Sequence, residues 1–548
     1  MQRRPISVVL EALSKQGGFI FSYNSDLFDK DSIVSVNESS KPLRQVLYQL
    51  LGGAFEYREK KNYVIIQPVS EWEVRGYVLD KETGIRLANA SVYEPQGLVA
   101  SLTNDEGYFK LKLRNTQAPQ YITIRKMSYG DTSVMVRVGD RQELLIPIST
   151  RDYTLDSIIV RKHKGIENTW LGRIFVSSKE KMQSMNLAGF FVDKPYQVSV
   201  IPGVGTHGKM SAQVENNVSF NLLGGYTAGV NGVELGGLFN LVKNNIDGVQ
   251  IGGLFNTAGG KISGVQIAGL YNQSVDSVNG FQAAGLANVT QGSVDGVQIG
   301  GLYNGSAGDV SSVQIAGLVN ISGGVTDGLQ ISGGLNYTRE SGKGIQISGG
   351  ANITSKDFDG VQISGLFNYA KKLKGMQIGL INYADSSSGI SLGLINIVPN
   401  GYHKATIYTT ELIQFNAAFK SGTNRLYTIW LGGFNPGDDK KVAAYGYGLG
   451  TRMQLAKWVS INPEITTQQL YLGDWEYTNF LNKASLFIHV EPVPFMGFFA
   501  GASYNVYYTE QTQLNEGFLN VDFKKLNAGK LGDQTWAWFG WTAGISFF

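Results

Sequence analysis

No cysteine occurs in the 548 residues. Disulfides, thiolate metal sites and cysteine nucleophiles are therefore excluded, and the redox compartment is left open. Histidine is nearly as scarce. His163, His207, His403 and His489 stand singly, without the clustered His and Glu ligands that a zinc peptidase needs. No run of about 18 apolar residues occurs, which excludes a transmembrane helix. A membrane β-barrel is not excluded, because its signal is alternation and not continuous apolarity. The formal net charge is only +3, so no general basic field points to nucleic acid. The N-terminus, "MQRRPISVVLEALSKQGG", has no apolar stretch after its basic residues. That predicts either a cytosolic protein or an export signal lying outside this chain. What is plentiful is glycine, with 69 residues, well above the average usage of about 7%.

The first 150 residues read as two small modules. In "PISVVLEALSKQGG", Pro5 suits a first helical turn, Ile6, Val9, Leu10 and Leu13 share one helical face, and Gly17 and Gly18 stop the helix. The alternating strand "FIFSY" follows. The plan recurs in "PLRQVLYQLLGGAFEY", where Leu43, Val46, Leu47, Leu50 and Leu51 form the apolar face, and the hairpin "FEYREKKNYVIIQP" closes the unit. Residues 1–70 resemble the short domain at the N-termini of secretins and TonB-dependent transducers, which implies a periplasmic module that binds partner proteins.

Residues 71–150 change to a period of two: "EVRGYVLDKETGIRLANASVY", "VASLTNDEGYFKLKL" and "YITIRKMSYGDTSVMVRV". The turns "DKETG" and "TNDEG" carry the residues that tight turns require, and strands at this spacing predict a small β-sandwich. This stretch resembles the carboxypeptidase regulatory-like domain, a module without peptidase activity. "TLDSIIV" (154–160) resembles the segment that follows this sandwich in TonB-dependent receptors. Those receptors then carry a long plug. Here residues 151–195 are too short for one and read as a linker, which argues against ordinary TonB-driven import.

"PGVGTHGKMS" (202–211) contains both G-x-G-x-x-G and G-x-x-x-x-G-K. A phosphate-binding loop needs Ser or Thr after the Lys and a helix after the loop. Met210 takes the first place, and "AQVENNVSFNLLGGY" alternates like a strand. A glycine-rich hairpin loop is the better reading.

A repeat fills residues 231–400. "DGVQIGGLFN" (247–256) returns as "SGVQIAGLYN" and "DGVQIGGLYN", and the motif Asn falls at 240, 256, 272, 288, 304, 320, 336, 352 and 368, a period of 16. Two steps of 14 reach Asn382 and Asn396. Known helical repeats are longer, and the glycine content is wrong for helix. Val249, Ile251, Gly253 and Phe255 alternate with Gln250, Gly252, Leu254 and Asn256, as in a strand of about nine residues. Charged residues sit in connectors such as "TRESGK" and "AKKLK"; Glu234, in the Gln column, is the exception.

Two architectures fit. In a parallel β-solenoid each unit is a coil, and Asn256 stacks on Asn272. In an antiparallel meander each unit is one strand and a turn, Phe255 faces Val265, and Leu254 faces Gln266. The second pairs large residues with small ones and offers the apolar column at 255 to lipid. In "GMQIGLIN" and "GISLGLIN" one residue is missing between the Gln and Asn columns, which would place them on opposite faces of a single strand.

The last 150 residues favour the meander. They hold seven aromatic-rich strand segments, from "TIYTTELIQFNAAF" to the terminal "TWAWFGWTAGISFF", whose Phe539, Trp541, Ala543, Ile545 and Phe547 share a face. With "YQVSVIP", "NNVSFNLLGGY" and eleven repeat strands the count reaches about 20, an even number as bacterial barrels require. The expected fold is mainly β: a small α/β module, a β-sandwich, then an antiparallel transmembrane barrel over residues 196–548. Most of the chain resembles repeat-bearing outer-membrane proteins of Bacteroidota. Gln250, Gln266, Gln298, Gln314, Gln330, Gln346 and Gln362 are expected to line the lumen, and Phe255, Tyr271, Tyr303 and Phe367 to face lipid.

The leading functional expectation is a non-enzymatic channel, receptor or scaffold in the cell outer membrane, with its N-terminal modules in the periplasm. Its partners would be outer-membrane lipid and periplasmic or outer-membrane proteins; neither nucleic acid nor a cofactor is expected. The alternative is a surface-binding protein whose repeats form a parallel solenoid platform next to a smaller barrel. No Ser/His/Asp arrangement, metal cluster or placed carboxylate pair supports an enzyme.

Overall fold

The computed structural model describes residues 2–37, 40–114, 118–138, 143–151, 165–437, 440–513 and 515–548. "TLDSIIV" and His163 lie outside the described residues. The chain forms two compact units, Met1–Lys261 and Ile262–Phe548.

The first unit begins with two helices, Ile6–Gly17 and Leu43–Leu51, against a three-stranded sheet of Ile20–Ser22, Tyr63–Pro68 and Phe55–Lys60. Leu10, Leu47 and Val64 form its core, with Phe19, Phe21 and Tyr57 packed around them. Gly18 ends the first helix in the left-handed region at φ 68°, its N–H bonded to Ser14 O, the conformation for which glycine pays no Cβ penalty. Seven strands follow in two sheets, four in one and three in the other, with Val78, Phe109, Ile122, Ile124 and Ile148 sealed between them. The expected linker carries two helices, Trp170–Phe175 and Ser178–Asn186, and the second opens on a Ser177/Glu180 capping box. The 202–211 loop is a turn between Val192–Ile201 and Val204–Gly205, followed by a 3-10 turn at Gly208–Gln213 and a strand.

From Val192 the first unit winds into parallel coils. Long strands Val214–Asn221, Gly229–Gly236 and Ile246–Gly252 stack in register, Glu234 beside Gln250. Short strands Phe239–Val242 and Phe255–Ala258 form a second ladder, Asn240 beside Asn256. The second unit repeats the plan from Ile262–Ala268 and Tyr271–Ser274 onwards, Gln266 beside Gln282 and Asn272 beside Asn288. The repeats therefore build a parallel β-solenoid, not the antiparallel strands expected of a barrel of about 20. Phe255 pairs with Phe239 one coil away. The physical reason is the Gln column. An antiparallel register would set each amide against a leucine, whereas a parallel stack gives it an identical amide as partner.

The motif is also not one strand. A corner at Gly253 and Leu254 breaks it, which turns Leu254 out of the interior although it shares the parity of Gln250 and Asn256. The shortened units follow from this. Met376–Ile378 keeps register with Val361, Gln362 and Ile363, and Ile381–Ser387 keeps register with Phe367 and Asn368. The missing residue comes out of the corner, and neither strand changes face.

One column of the long strands bends outward at positive φ: Gly280 at 140°, Gly296 at 139°, Gly328 at 143°. A Cβ on Gly296 would lie 2.0 Å from the Gly280 carbonyl oxygen, so backbone of one coil occupies the place of a side chain on the next. Ser312 holds the same column at φ 105°.

The second unit ends in a closed barrel of eight antiparallel strands: Tyr402–Thr410, Phe415–Gly422, Tyr427–Asn435, Val442–Gly450, Val459–Tyr471, Asn479–Val493, Met496–Thr509 and Thr535–Phe547. The last pairs back with the first, Ala405 beside Phe547 and Thr410 beside Thr542. Sequence reading takes "TIYTTELIQFNAAF" as one strand. It is two, joined by a tight turn in which Thr410 N donates to Ile413 O at 3.0 Å, and this split raises seven segments to eight strands.

Candidate functional site

Two amide ladders fill the solenoid. In the second unit Gln282, Gln298, Gln314, Gln330, Gln346 and Gln362 each donate Nε2 to Oε1 of the Gln one coil earlier, every bond 2.8 Å. In the first unit Gln250 donates to Glu234 Oε2 at 2.8 Å. The Asn ladder runs the other way: Asn288 donates to Asn304 at 2.9 Å and Asn304 to Asn320 at 3.0 Å. The second Asn proton goes to backbone, as from Asn288 Nδ2 to Ile299 O at 2.8 Å. Gln250, Gln266, Gln298, Gln314, Gln330 and Gln362 are 0% exposed. The Gln column expected to line a lumen is thus packed inside narrow coils. An interior of amides is tolerable there because a parallel stack supplies each donor and acceptor.

Each ladder needs an end. Ser391 takes the Gln position near the last coil and lies within hydrogen-bond range of Gln377 Oε1, its Oγ donating at 3.4 Å. In the first unit Glu234 takes the Gln position, and its carboxyl oxygens accept from Gln250, from Asn221 at 3.0 Å and from Ser219 at 3.1 Å. Burial, opposed by those three bonds, pushes its carboxyl up to about 7. In the first coils Glu167 receives Tyr226 Oη at 2.6 Å and Ser184 Oγ at 2.9 Å.

The outer face of the coils is apolar. Ile299, Ile315, Ile347 and Ile363 form one exposed column and Leu286, Leu302, Leu318 and Leu366 another at the corner. Phe255, Tyr271, Tyr303 and Phe367 point outward beside them, half-buried. In the first unit this column is covered by the chain itself: Phe175 stacks on Phe239 at 4.1 Å, and Trp170 meets Phe255 edge-on at 5.8 Å.

Inside the barrel, charged and polar side chains are mixed with apolar clusters, around Tyr427, Ile429 and Leu431 and around Leu470, Leu481 and Trp538; its outside is apolar. Lys420 and Glu464 form an ion pair inside it, side chains 2% and 4% exposed, and Tyr427 Oη donates to the same carboxylate at 2.8 Å. Lys404 and Arg452 pair with Glu491 at 3.3 and 2.8 Å near one end. At the other end Glu411 receives Asn505 Nδ2 at 2.7 Å and Trp538 Nε1 at 3.0 Å. Outside, Ile465 is 70% exposed and Phe539 81%, with Ile407, Leu486, Ile488 and Trp541 around them. Sequence reading found the outer face of the last strand and missed the inner charges. Their signal was available: Lys420, Glu464 and Lys483 each occupy the polar parity of an otherwise alternating strand.

Among the described residues no group of three His, Cys, Asp or Glu could hold a metal ion. No family model matches the chain, and no curated protein matches it.

Proposed function

We propose that this chain is a non-enzymatic, surface-binding protein in which an eight-stranded barrel sits in an outer membrane and anchors a β-solenoid platform. The observation that carries this reading is the inverted barrel: a Lys420–Glu464 ion pair at its centre and Ile465 and Phe539 on its outside. In water this distribution would expose apolar side chains and bury charge at a cost on both counts. In hydrocarbon the apolar outside is favoured, the interior is the least costly place for the charges, and a closed ring leaves no unpaired strand edge.

The barrel is an anchor and not a pore. Side chains fill an eight-stranded interior, and the cavity between Lys420, Glu464, Lys483 and Phe499 is about 20 Å³. Its turns support an orientation. The solenoid end carries the connections 423–426, 451–458 and 494–495; the far end carries 411–414, 436–441, 472–478 and much the longest, 510–534. Outer-membrane barrels keep short turns in the periplasm. On this reading the coils next to the barrel face the periplasm, the compartment in which the resemblance of residues 1–70 to the secretin and TonB short domain also puts the N-terminal modules and their partner proteins.

The test is a detergent gel of unheated and boiled protein, joined to proteolysis of the reconstituted chain. A heat-dependent mobility shift and a protected fragment spanning about 400–548 are expected. Complete digestion without a mobility shift would overturn the reading.

A further inference from the structure

We infer that the apolar edge of the solenoid in the second unit is itself a membrane-inserting surface, dipping into one leaflet beside the barrel; this rests on the barrel reading above. Three observations carry it. The first is charge segregation. Along each coil the first outward position of the long strand is polar or charged, as at Asp295, Asp327 and Lys343, and the positions from there around the corner are glycine or apolar, Ser312 excepted. An amphipathic edge runs the length of the stack, unlike the scattered apolar residues of an ordinary soluble surface.

The second is the backbone at the corners. A turn facing lipid is normally forbidden, because its N–H groups lose water without gaining a partner. Here each corner bonds to the next. Leu286 N donates to Leu270 O at 2.9 Å, Leu302 N to Leu286 O at 2.9 Å and Leu318 N to Leu302 O at 3.0 Å. Tyr303 N and Val319 N also donate to the preceding corner, at 3.0 and 2.9 Å. At Leu286, Leu302 and Leu318 the edge presents neither charge nor a free leucine amide, so removing water from these corners carries little polar penalty.

The third is continuity with the barrel wall. Trp430 and Tyr447 lie on the outer face of the barrel. Trp430 Nε1 donates to Leu394 O at 3.0 Å and Tyr447 Oη to Gly393 O at 2.6 Å. Leu394 is the corner leucine of the last coil, so the leucine column begins against the barrel's apolar outside. Whatever medium bathes that outside also reaches the column. The reach fits as well: four strand residues from Val313 to the Gly317 corner span about 13 Å at ~3.3 Å each, close to half of a hydrocarbon core of ~30 Å. The occupant is therefore lipid acyl chain and not a soluble partner.

The absence of cysteine makes the test clean. Leu318→Cys at the apolar edge, Asp327→Cys at the charged edge and Phe539→Cys on the barrel are each labelled with a small fluorophore, and the full chain is reconstituted into vesicles containing brominated phospholipid. Unchanged circular dichroism identifies the folded variants. Quenching at 318 equal to that at 539, with none at 327, is expected. Quenching at 539 but not at 318 would overturn this inference and leave the barrel reading standing. A label at 318 shielded from both brominated lipid and aqueous iodide would mean a protein cover, a second copy included, and would overturn it too. Absence of quenching at 539 would sink the barrel reading and the inference together.

Discussion

The side-chain amide of Gln250 donates a 2.8 Å hydrogen bond to the Glu234 carboxylate, joining the amide ladder to the one acid in its column. The Glu234 carboxyl lies at about 7 in the folded chain, above its ordinary 4.5. A raised acid contributes stability that is fully present below its unfolded value and is lost as pH rises through the folded one. The wild type should therefore lose stability relative to Glu234→Gln between about pH 5 and pH 8, by ~3 kcal/mol at most. Melting curves across that range check it. Parallel pH profiles for the two proteins would mean the carboxyl is not buried.

Mid-ladder positions should behave in the opposite way. Gln314→Leu orphans the oxygen of Gln298 and the amide of Gln330, at about 1–3 kcal/mol for each. Gln298→Arg places an unpaired charge in the same dry channel and should cost about 3–5 kcal/mol. Asp295→Arg, three residues earlier on the exposed edge, should be nearly neutral. Thermal melts of the three variants rank them, and a tolerated Gln298→Arg would contradict a packed interior.

Ser312 breaks the glycine column at φ 105°. A non-glycine residue held there stores about 1–3 kcal/mol of strain, so Ser312→Gly should raise the melting temperature. Gly296→Ala should lower it by more, since its Cβ would meet the Gly280 oxygen at 2.0 Å. Calorimetry of the pair reads both signs at once.

On the barrel, Ile465→Arg should impair insertion by about 2–4 kcal/mol if the site lies near the midplane. In a water-facing barrel the same change would be harmless. Lys420→Met leaves Glu464 without its cation and should cost about 3–5 kcal/mol, although Lys420 is far from any exposed surface. The heat-shift assay on refolded protein measures both, and an unchanged shift for Ile465→Arg would argue against lipid on that face.

Much of this was legible in order of residues. The period of 16, the inward Gln and Asn columns, the outward aromatic column and the charged connectors follow from side-chain size and polarity at fixed parity, and parity is local. The Leu10 and Leu47 faces of the first module and the alternating face around Phe539 are local in the same sense. Strand direction was not. Phe255 beside Val265 and Phe255 beside Phe239 place the same side chains on the same face, so no alternation pattern separates a meander from a coil. The deciding quantity is whether the amide at Gln266 meets a leucine or another amide, and that depends on a partner 16 residues away. Closure of the barrel between Tyr402–Thr410 and Thr535–Phe547 is longer in range still. The sequence by itself determined which side chains are buried together and which face outward. Only the tertiary structure decided what they are buried against, because hydrogen-bond register between distant strands is fixed by the whole stack and not by any one strand.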